Sequence, residues 1–264
     1  MARWHRLLEH GNVVKEKLYR GEPSLGIFVL SCSPIVMELC STLPLDWLLV
    51  DAEASPVSPE TILHLFQAVS GSNIVPLVRV PSLDHHIIEH MLDLGAYGVL
   101  VPKVDSPEMA RAAVEASFYP PRGRRGISPV RASGYFMDVP GHLMSANDRT
   151  MCLVQIETRA GLESVEQIAA VDGLDGLFIG PGDLASELGQ PGEVTGPLMD
   201  EARARILRAA KAHGKIPGIF AYSADLARVY LNEGFSFVAI GNDLRLLRLG
   251  IAAELRQVTS DSDV

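Results

Sequence analysis

The sequence has few aromatic residues and fewer basic than acidic ones. Aromatic residues make up 6% of the 264 residues, whereas 47% of the residues are hydrophobic, so we expect a sizeable and mainly aliphatic core. Lys and Arg number 23 against 32 Asp and Glu, which gives a net charge of −9. Nucleic-acid binding is therefore not expected, because no basic stripe is present. An anionic substrate would need arginine placed locally, because the overall field repels it.

Cysteines and long apolar runs are also scarce. Cys32, Cys40 and Cys152 lie in strand-like or helical surroundings without metal-ligand spacing, which favours free thiols in a reducing compartment. No stretch approaches the roughly 20 apolar residues of a membrane span, and residues 1–21 contain no apolar signal core. We expect a soluble cytoplasmic protein that binds neither membrane nor nucleic acid.

Short aliphatic runs alternate with amphipathic stretches along the whole chain, and the runs lack the polar alternation of a half-exposed sheet. The predicted strands cover residues 25–31, 46–51, 74–79, 98–102, 151–157, 176–180, 216–220 and 235–240. The predicted helices cover residues 34–41, 59–70, 84–94, 107–118, 161–170, 197–213, 224–233 and 243–256. Eight βα units in succession predict an α/β fold, a single (β/α)8 TIM barrel over residues 1–264, with an open doubly wound sheet as the alternative.

Two segments do not fit the alternation. Residues 119–147 are rich in Pro, Gly and Arg and are predicted to form a long irregular loop. This loop is longer than a simple connection between a helix and a strand needs, which indicates a functional role. Residues 257–264 are predicted to be a frayed tail.

Polar residues follow most of the predicted strands, and in a barrel these strand ends meet at one face, where catalytic groups gather. These residues are Asp51, Glu53, Arg79, Lys103, Glu157, Asp183, Tyr222, Asn242 and Asp243. Glu157 and Asp183 follow neighbouring strands and suit a hard divalent cation with open coordination positions. Arg79 could hold an anionic ligand beside that ion. Asp183 has a structural alternative as the N-cap of a helix over residues 184–188. An enzyme is the first hypothesis.

Six motifs carry a resemblance to a known family. They read DWLLVDAE at 46–53, VRVP at 78–81, LVPKV at 100–104, YPPRGRRG at 119–126, VQIET at 154–158 and FIGPGDL at 178–184. In this order they resemble the HpcH/HpaI aldolase/citrate lyase family, from about residue 21 to residue 247. The resemblance implies a (β/α)8 barrel that forms homo-oligomers, either dimers or hexamers.

The resemblance also implies the chemistry of the site. It assigns Mg²⁺, Mn²⁺ or Co²⁺ to Glu157 and Asp183, and a 2-oxo acid chelated to that ion. Arg79 would bind the keto or enolate oxygen, and Gln155 would support the metal ligands. The backbone amides of Gly182 and Asp183 would hold the substrate carboxylate.

Three further residues complete the expected site. Asp51 and Glu53 join Arg79 as candidate catalytic residues, since all three follow strands at the same face. Asp93 occupies a position that family members use across a subunit interface.

One departure from the family pattern concerns proton transfer. Family aldolases have histidine after Asp-x-Glu, whereas this chain has Ala54. General acid–base catalysis typically contributes ~10²–10⁴-fold, so an ordinary aldolase without this imidazole should be slow. Metal-bound water, Glu53 or Ser55 could substitute for it.

Alternatively, the chain catalyses a reaction that does not need a base at position 54. We expect an enzyme that condenses oxaloacetate with acetyl-CoA to citrate, as in siderophore biosynthesis, with Arg124 meeting the extra carboxylate or a CoA phosphate. A pyruvate or oxaloacetate aldolase with a substitute base is the main alternative. A non-catalytic sensor of metal and oxo acid is the third.

Overall fold

The computed structural model describes residues 11–259, which form a closed barrel of eight parallel strands in the order β1 to β8. This confirms the predicted (β/α)8 barrel and excludes the open sheet. The strands are β1 Ser24–Val29, β2 Trp47–Asp51, β3 Val75–Arg79, β4 Gly98–Val101, β5 Met151–Ile156, β6 Gly176–Ile179, β7 Ile216–Phe220 and β8 Phe237–Asn242.

Helices cover the outside of the barrel. In chain order they are α1 Val13–Tyr19, α2 Pro34–Ser41, α3 Pro59–Ala68, α4 His85–Asp93, α5 Pro107–Ser117, α6 Val139–Arg149, α7 Arg159–Glu163, α8 Val165–Ala169, α9 Pro181–Glu187, α10 Pro197–Ala212, α11 Ala224–Glu233 and α12 Asp243–Thr259. Several begin with a side-chain cap, for example Ser58, Ser106 and Ser223, each of which accepts a hydrogen bond from the backbone amide three residues ahead. None of the helices within residues 11–259 is long and apolar enough to cross a membrane.

The core has two parts of different composition. Between strands and helices it is aliphatic, as expected from the composition. Inside the barrel, however, the scarce aromatic residues gather: Trp47 stacks on Phe237 with ring centroids 4.2 Å apart, and Phe28 lies 5.8 Å from Phe178. Large rings fill the barrel interior, where side chains from opposite strands must meet across the axis.

The expectation of an irregular loop over residues 119–147 is wrong for its last part, because α6 runs from Val139 to Arg149. His142 and Ala146 are its buried residues, so the helix lacks a broad apolar stripe that a pattern search would detect. The frayed tail expected at 257–264 is wrong for residues 257–259, which belong to α12; residues 260–264 lie outside the described part.

Two further helical details differ from the sequence pattern. The helix expected over residues 161–170 is divided into α7 and α8, with Ser164 between them. Helix α9 starts at Pro181, so Gly180 is its N-cap and Asp183 lies within its first turn rather than capping a later helix.

Candidate active site

Asp51 and Arg79 form a two-point ion pair at the carboxyl end of the barrel. They are register partners at the ends of β2 and β3. Arg79 Nε donates to Asp51 Oδ1 at 2.9 Å and Nη2 donates to Oδ2 at 2.6 Å. Burial alone would lower the pKa of Arg79, but the Asp51 and Glu53 carboxylates raise it above its ordinary value. The guanidinium therefore stays charged and fixed in orientation.

Glu53 and Lys103 extend this network towards the rim. Glu53 Oε2 lies 2.9 Å from Arg79 Nη1, and its other oxygen lies 3.8 Å from Lys103 Nζ. The Lys103 side chain is 61% exposed, so this second pair is largely screened by solvent. Glu53 thus serves mainly to hold the guanidinium of Arg79.

Glu157 follows β5 and is buried, with 1% of its surface exposed. Its Oε1 accepts a hydrogen bond from the backbone amide of Lys103 at 2.9 Å, and its Oε2 accepts one from the Gln155 side-chain amide. Lys103 has a φ of 52°, a left-handed conformation that a lysine rarely adopts. Strain at this residue accompanies the contact between its amide and Glu157, which is typical of functional sites.

Gly180 leaves room beside the same carboxylate. A Cβ on Gly180 would stand 2.5 Å from Glu157 Oε2 and would also collide with the Gln155 amide. Gly180 is followed by Pro181-Gly182-Asp183, the first turn of α9. Seven-residue α9 thus carries Asp183 to the rim beside Glu157.

The carboxylate of Glu157 is repelled by neighbouring negative charges. Burial, followed by the negative charges of Asp183 and Glu53, raises the pKa of Glu157 to about 7. A divalent cation between Glu157 and Asp183 would relieve this repulsion, and oxygen ligands suit such an ion. No cluster of three or more His, Cys, Asp or Glu side chains suited to a metal occurs within residues 11–259. The two carboxylates fit an ion that keeps its other positions for water and substrate.

A cavity of about 180 Å³ opens beside these groups. Phe28, Phe178 and Phe220 form its aromatic wall, and Arg79 lies over the ring of Phe28 with its central carbon 5.4 Å from the centroid. The other residues that line it are Leu30, Asp51, Ala54, Gln155, Gly180, Pro181, Gly182, Asp183, Tyr222 and Asn242. Sequence reasoning missed the aromatic wall, because inward-facing phenylalanines look like ordinary core residues.

Ala54 lines this cavity, so the departure from the family pattern falls directly on the site. The Ala54 amide donates to Asp51 Oδ1 at 3.1 Å, and the Ser55 hydroxyl donates to the Asp51 carbonyl oxygen. Asp51 therefore holds both Arg79 and the turn that contains Ala54. The Ser55 hydroxyl is therefore already hydrogen-bonded to the backbone.

Asp243 does not line the cavity, although it follows β8 directly. Its carboxylate accepts hydrogen bonds from the amides of Leu30 at 2.9 Å and Ser31 at 3.0 Å, and the residue is buried. Asp243 closes the junction between β8 and β1, and Asn242 takes the position at the cavity.

Arg124, expected to meet the substrate, does not line this cavity within its own chain. Helix α5 leads away from the carboxyl end of β4, so the segment after it lies at the other end of the barrel. There the Arg124 amide donates to the Glu115 carbonyl oxygen at 2.7 Å, and its side chain is 79% exposed. Asp93 lies at the same end, 2.5 Å from Arg125 Nη2. Burial raises the pKa of Asp93, and Arg125 opposes that shift.

Comparison with known proteins decides the family. The family model described as HpcH/HpaI aldolase/citrate lyase matches residues 24–249. The chain belongs to this family. The resemblance read from the six motifs is thereby confirmed, and so is an enzyme: the protein is a carbon–carbon lyase of the HpcH/HpaI class, a metal-dependent family.

Relatives and solved structures agree with this assignment. The chain is 42% identical over 237 residues to a hydroxypyruvate/pyruvate aldolase from Deinococcus radiodurans, covering 89% of this chain and 86% of the relative. It is 39% identical over 239 residues to a 5-keto-4-deoxy-D-glucarate aldolase from Escherichia fergusonii, covering 90% and 93%.

Among solved structures, a family protein from Burkholderia cenocepacia J2315 matches with a TM-score of 0.90 and 32% identity, covering 94% of this chain and 99% of that one. The citrate synthase SbnG matches with a TM-score of 0.84 and 27% identity, covering 93% and 97%. The similar relatives named as aldolases are thus closer in sequence than this citrate synthase.

Proposed function

We propose that the protein is a class II aldolase that joins a 2-oxo acid of the pyruvate type to an aldehyde and cleaves the product in reverse. The observation that carries this proposal is that Arg79 and Asp183 line one cavity, while the buried carboxylate of Glu157 lies next to it, against Gln155 and Gly180 of its lining. The similarity to a hydroxypyruvate/pyruvate aldolase supports a small 2-oxo acid as the donor.

In this proposal Glu157 and Asp183 hold a divalent ion, with Mg²⁺ favoured over Mn²⁺ and Co²⁺. When bound, the ion supplies Lewis acidity towards the keto oxygen and a template for the oxo acid. Gln155 orients Glu157 through the hydrogen bond between their side chains. Such support of a ligand carboxylate is typical of metal sites.

Arg79 would stabilise the oxygen that becomes negative when the oxo acid enolises. Its Nε and Nη2 are occupied by Asp51, and Nη1 faces Glu53 and Gln155, at 2.9 Å and 3.4 Å. A charged donor held before the reaction begins needs no reorganisation when negative charge develops. The amides of Gly182 and Asp183, in the first turn of α9, would receive the substrate carboxylate.

Condensation of oxaloacetate with acetyl-CoA is the second candidate. Ala54 favours it, since the family histidine is missing at the cavity. The position of Arg124 removes one argument for it, because that arginine does not reach the cavity of its own chain. We therefore place the aldolase first.

One experiment separates these functions. Purified protein with Mg²⁺, Mn²⁺ or Co²⁺ is given pyruvate or hydroxypyruvate with glycolaldehyde, and the adduct is followed by mass spectrometry. Parallel samples receive oxaloacetate with acetyl-CoA, and release of the CoA thiol is measured. Aldol product without thiol release supports the proposal. Thiol release without aldol product favours the synthase, and oxo-acid binding without either product favours a sensor.

A further inference from the structure

The cavity contains one neutral side chain with a proton to give. Among the described residues that line it, the charged groups are Asp51, Arg79 and Asp183, and the others are apolar, amide or glycine positions apart from Tyr222. Asp51 is committed to Arg79. Tyr222 is therefore the only lining residue with a hydroxyl within residues 11–259, and no imidazole or thiol of these residues lines the cavity.

Tyr222 is positioned by its neighbours on two elements. It follows β7, and its ring packs edge-on against Phe220 with centroids 5.0 Å apart. Its hydroxyl oxygen stands 2.7 Å from the point where a Cβ on Gly182 would lie. The hydroxyl consequently sits directly over the first turn of α9, and only glycine at position 182 leaves space for it.

The hydroxyl is available for a ligand. It forms no hydrogen bond to protein groups between residues 11 and 259, and the residue lines the cavity with 37% of its surface exposed. Burial and the charge of Asp183 raise the pKa of Tyr222, while Arg79 opposes the shift. The phenol therefore keeps its proton at neutral pH and acts as a donor.

Other groups near Ala54 are less suited to the same task. Glu53 is held by Arg79 at 2.9 Å, and the Ser55 hydroxyl is bonded to the backbone of Asp51. Lys103 points its ammonium group into solvent and towards Glu53. None of these three lines the cavity.

We propose that Tyr222 is a catalytic residue that gives its proton to the carbonyl oxygen of the acceptor aldehyde, the role for which position 54 has no group. This inference rests on the proposed aldolase function. As C3 of the oxo-acid enolate bonds to the aldehyde carbon, the C=O π pair becomes an alkoxide, and the Tyr222 O–H bond breaks to protonate it. Water returns a proton to the phenolate. In cleavage the same proton travels back.

The test compares wild type with Tyr222→Phe, which removes only the hydroxyl. Two reactions are measured with saturating Mn²⁺: aldol addition of pyruvate to glycolaldehyde, and loss of the C3 protons of pyruvate in D₂O without any aldehyde. The exchange requires the enolate but no proton for an acceptor. We expect the kcat of addition to fall ~10²-fold, as for loss of a placed acid, and the exchange rate and the KM for pyruvate to change less than about threefold.

Tyr230→Phe is the matched control. Tyr230 lies on α11, in the same βα unit, is buried away from the cavity and has a hydroxyl without a partner among the described groups. This variant should keep full addition activity. Ala54→His is then added to Tyr222→Phe, and the imidazole should restore addition by at least about tenfold.

Each outcome tests the role of Tyr222 or the aldolase function. Full addition activity in Tyr222→Phe overturns the proposal, as does an equal loss of exchange and addition, which would make Tyr222 a residue that binds the oxo acid. No restoration by Ala54→His also counts against proton transfer. If wild type performs neither reaction, the aldolase function itself fails, and the role of Tyr222 fails with it.

Discussion

The Arg79 guanidinium meets Asp51 through two parallel hydrogen bonds, of 2.9 Å and 2.6 Å, between residues that are register partners in adjacent strands. The barrel itself therefore sets the direction in which the arginine points. Asp51 occupies Nε and Nη2 of Arg79, while Nη1 faces Glu53 at 2.9 Å and Gln155 at 3.4 Å. A lysine at this position would carry the charge without the fork.

Arg79→Lys should lower kcat for aldol addition by ~10²–10³-fold while the KM for pyruvate changes little, because a point charge cannot keep both the Asp51 contact and the developing oxyanion. Steady-state kinetics with varied pyruvate give both constants. A rise in KM with unchanged kcat would mean that Arg79 binds ground state and transition state equally.

Asp51→Asn should reduce both activity and stability, since it leaves the partly buried guanidinium of Arg79 with Glu53 as its only carboxylate partner. We expect a loss of about 1–3 kcal/mol in the free energy of unfolding, measured with urea. Glu53→Gln is the comparison variant, and it should lower the free energy of unfolding less, because Glu53 is more exposed than Asp51. Equal losses of stability in the two variants would contradict the central position assigned to Asp51.

The barrel was predictable because eight apolar runs of strand length alternate with helices, and strands buried on both faces belong to parallel sheets. The charged residues at the site were predictable for a related reason: Asp51 and Arg79 end strands, and Glu157 directly follows one. Helix α6 was not, since only two of its residues are buried and its start is Val-Pro-Gly. The distance of Arg124 from the cavity of its own chain also follows from the topology, because a helix that returns along the barrel delivers the next residues to the opposite end.

Gly180→Ala should weaken metal binding at least about tenfold, because the added methyl would collide with the Glu157 carboxylate and the Gln155 amide. Isothermal titration with Mn²⁺ measures the affinity. Gly250→Ala is the control: this glycine lies within α12 with open space around it, so alanine should stabilise the helix by about 0.5–1 kcal/mol and leave metal binding unchanged. Equal metal affinities in both variants would contradict the placement of the ion beside Glu157.

Metal affinity should depend on pH through Glu157. With a pKa of about 7, this carboxyl is mostly protonated at pH 6 and mostly ionised at pH 8, and a proton competes with the ion for it. The apparent affinity for Mn²⁺ should therefore rise about tenfold between pH 6 and pH 8. Titration calorimetry in two buffers of different ionisation enthalpy should show nearly one proton released per ion at pH 6 and almost none at pH 8.

The same shift predicts how the metal-free protein responds to pH. The pKa of Glu157 is raised in the folded state from an ordinary value of 4.5 to about 7, so the folded state binds the proton more tightly than the unfolded chain. The contribution of Glu157 to the free energy of unfolding is thus fully present below pH 4.5 and is lost as the pH rises through 7. Saturating Mn²⁺ should remove this loss, because the ion binds the ionised carboxylate of the folded protein. Urea unfolding at pH 6 and pH 8, with and without Mn²⁺, measures both effects. Glu157→Gln should abolish both this pH dependence of the free energy of unfolding and the stabilisation by Mn²⁺. If Mn²⁺ still stabilised that variant, Glu157 would not be a ligand and the two-carboxylate site would have to be abandoned.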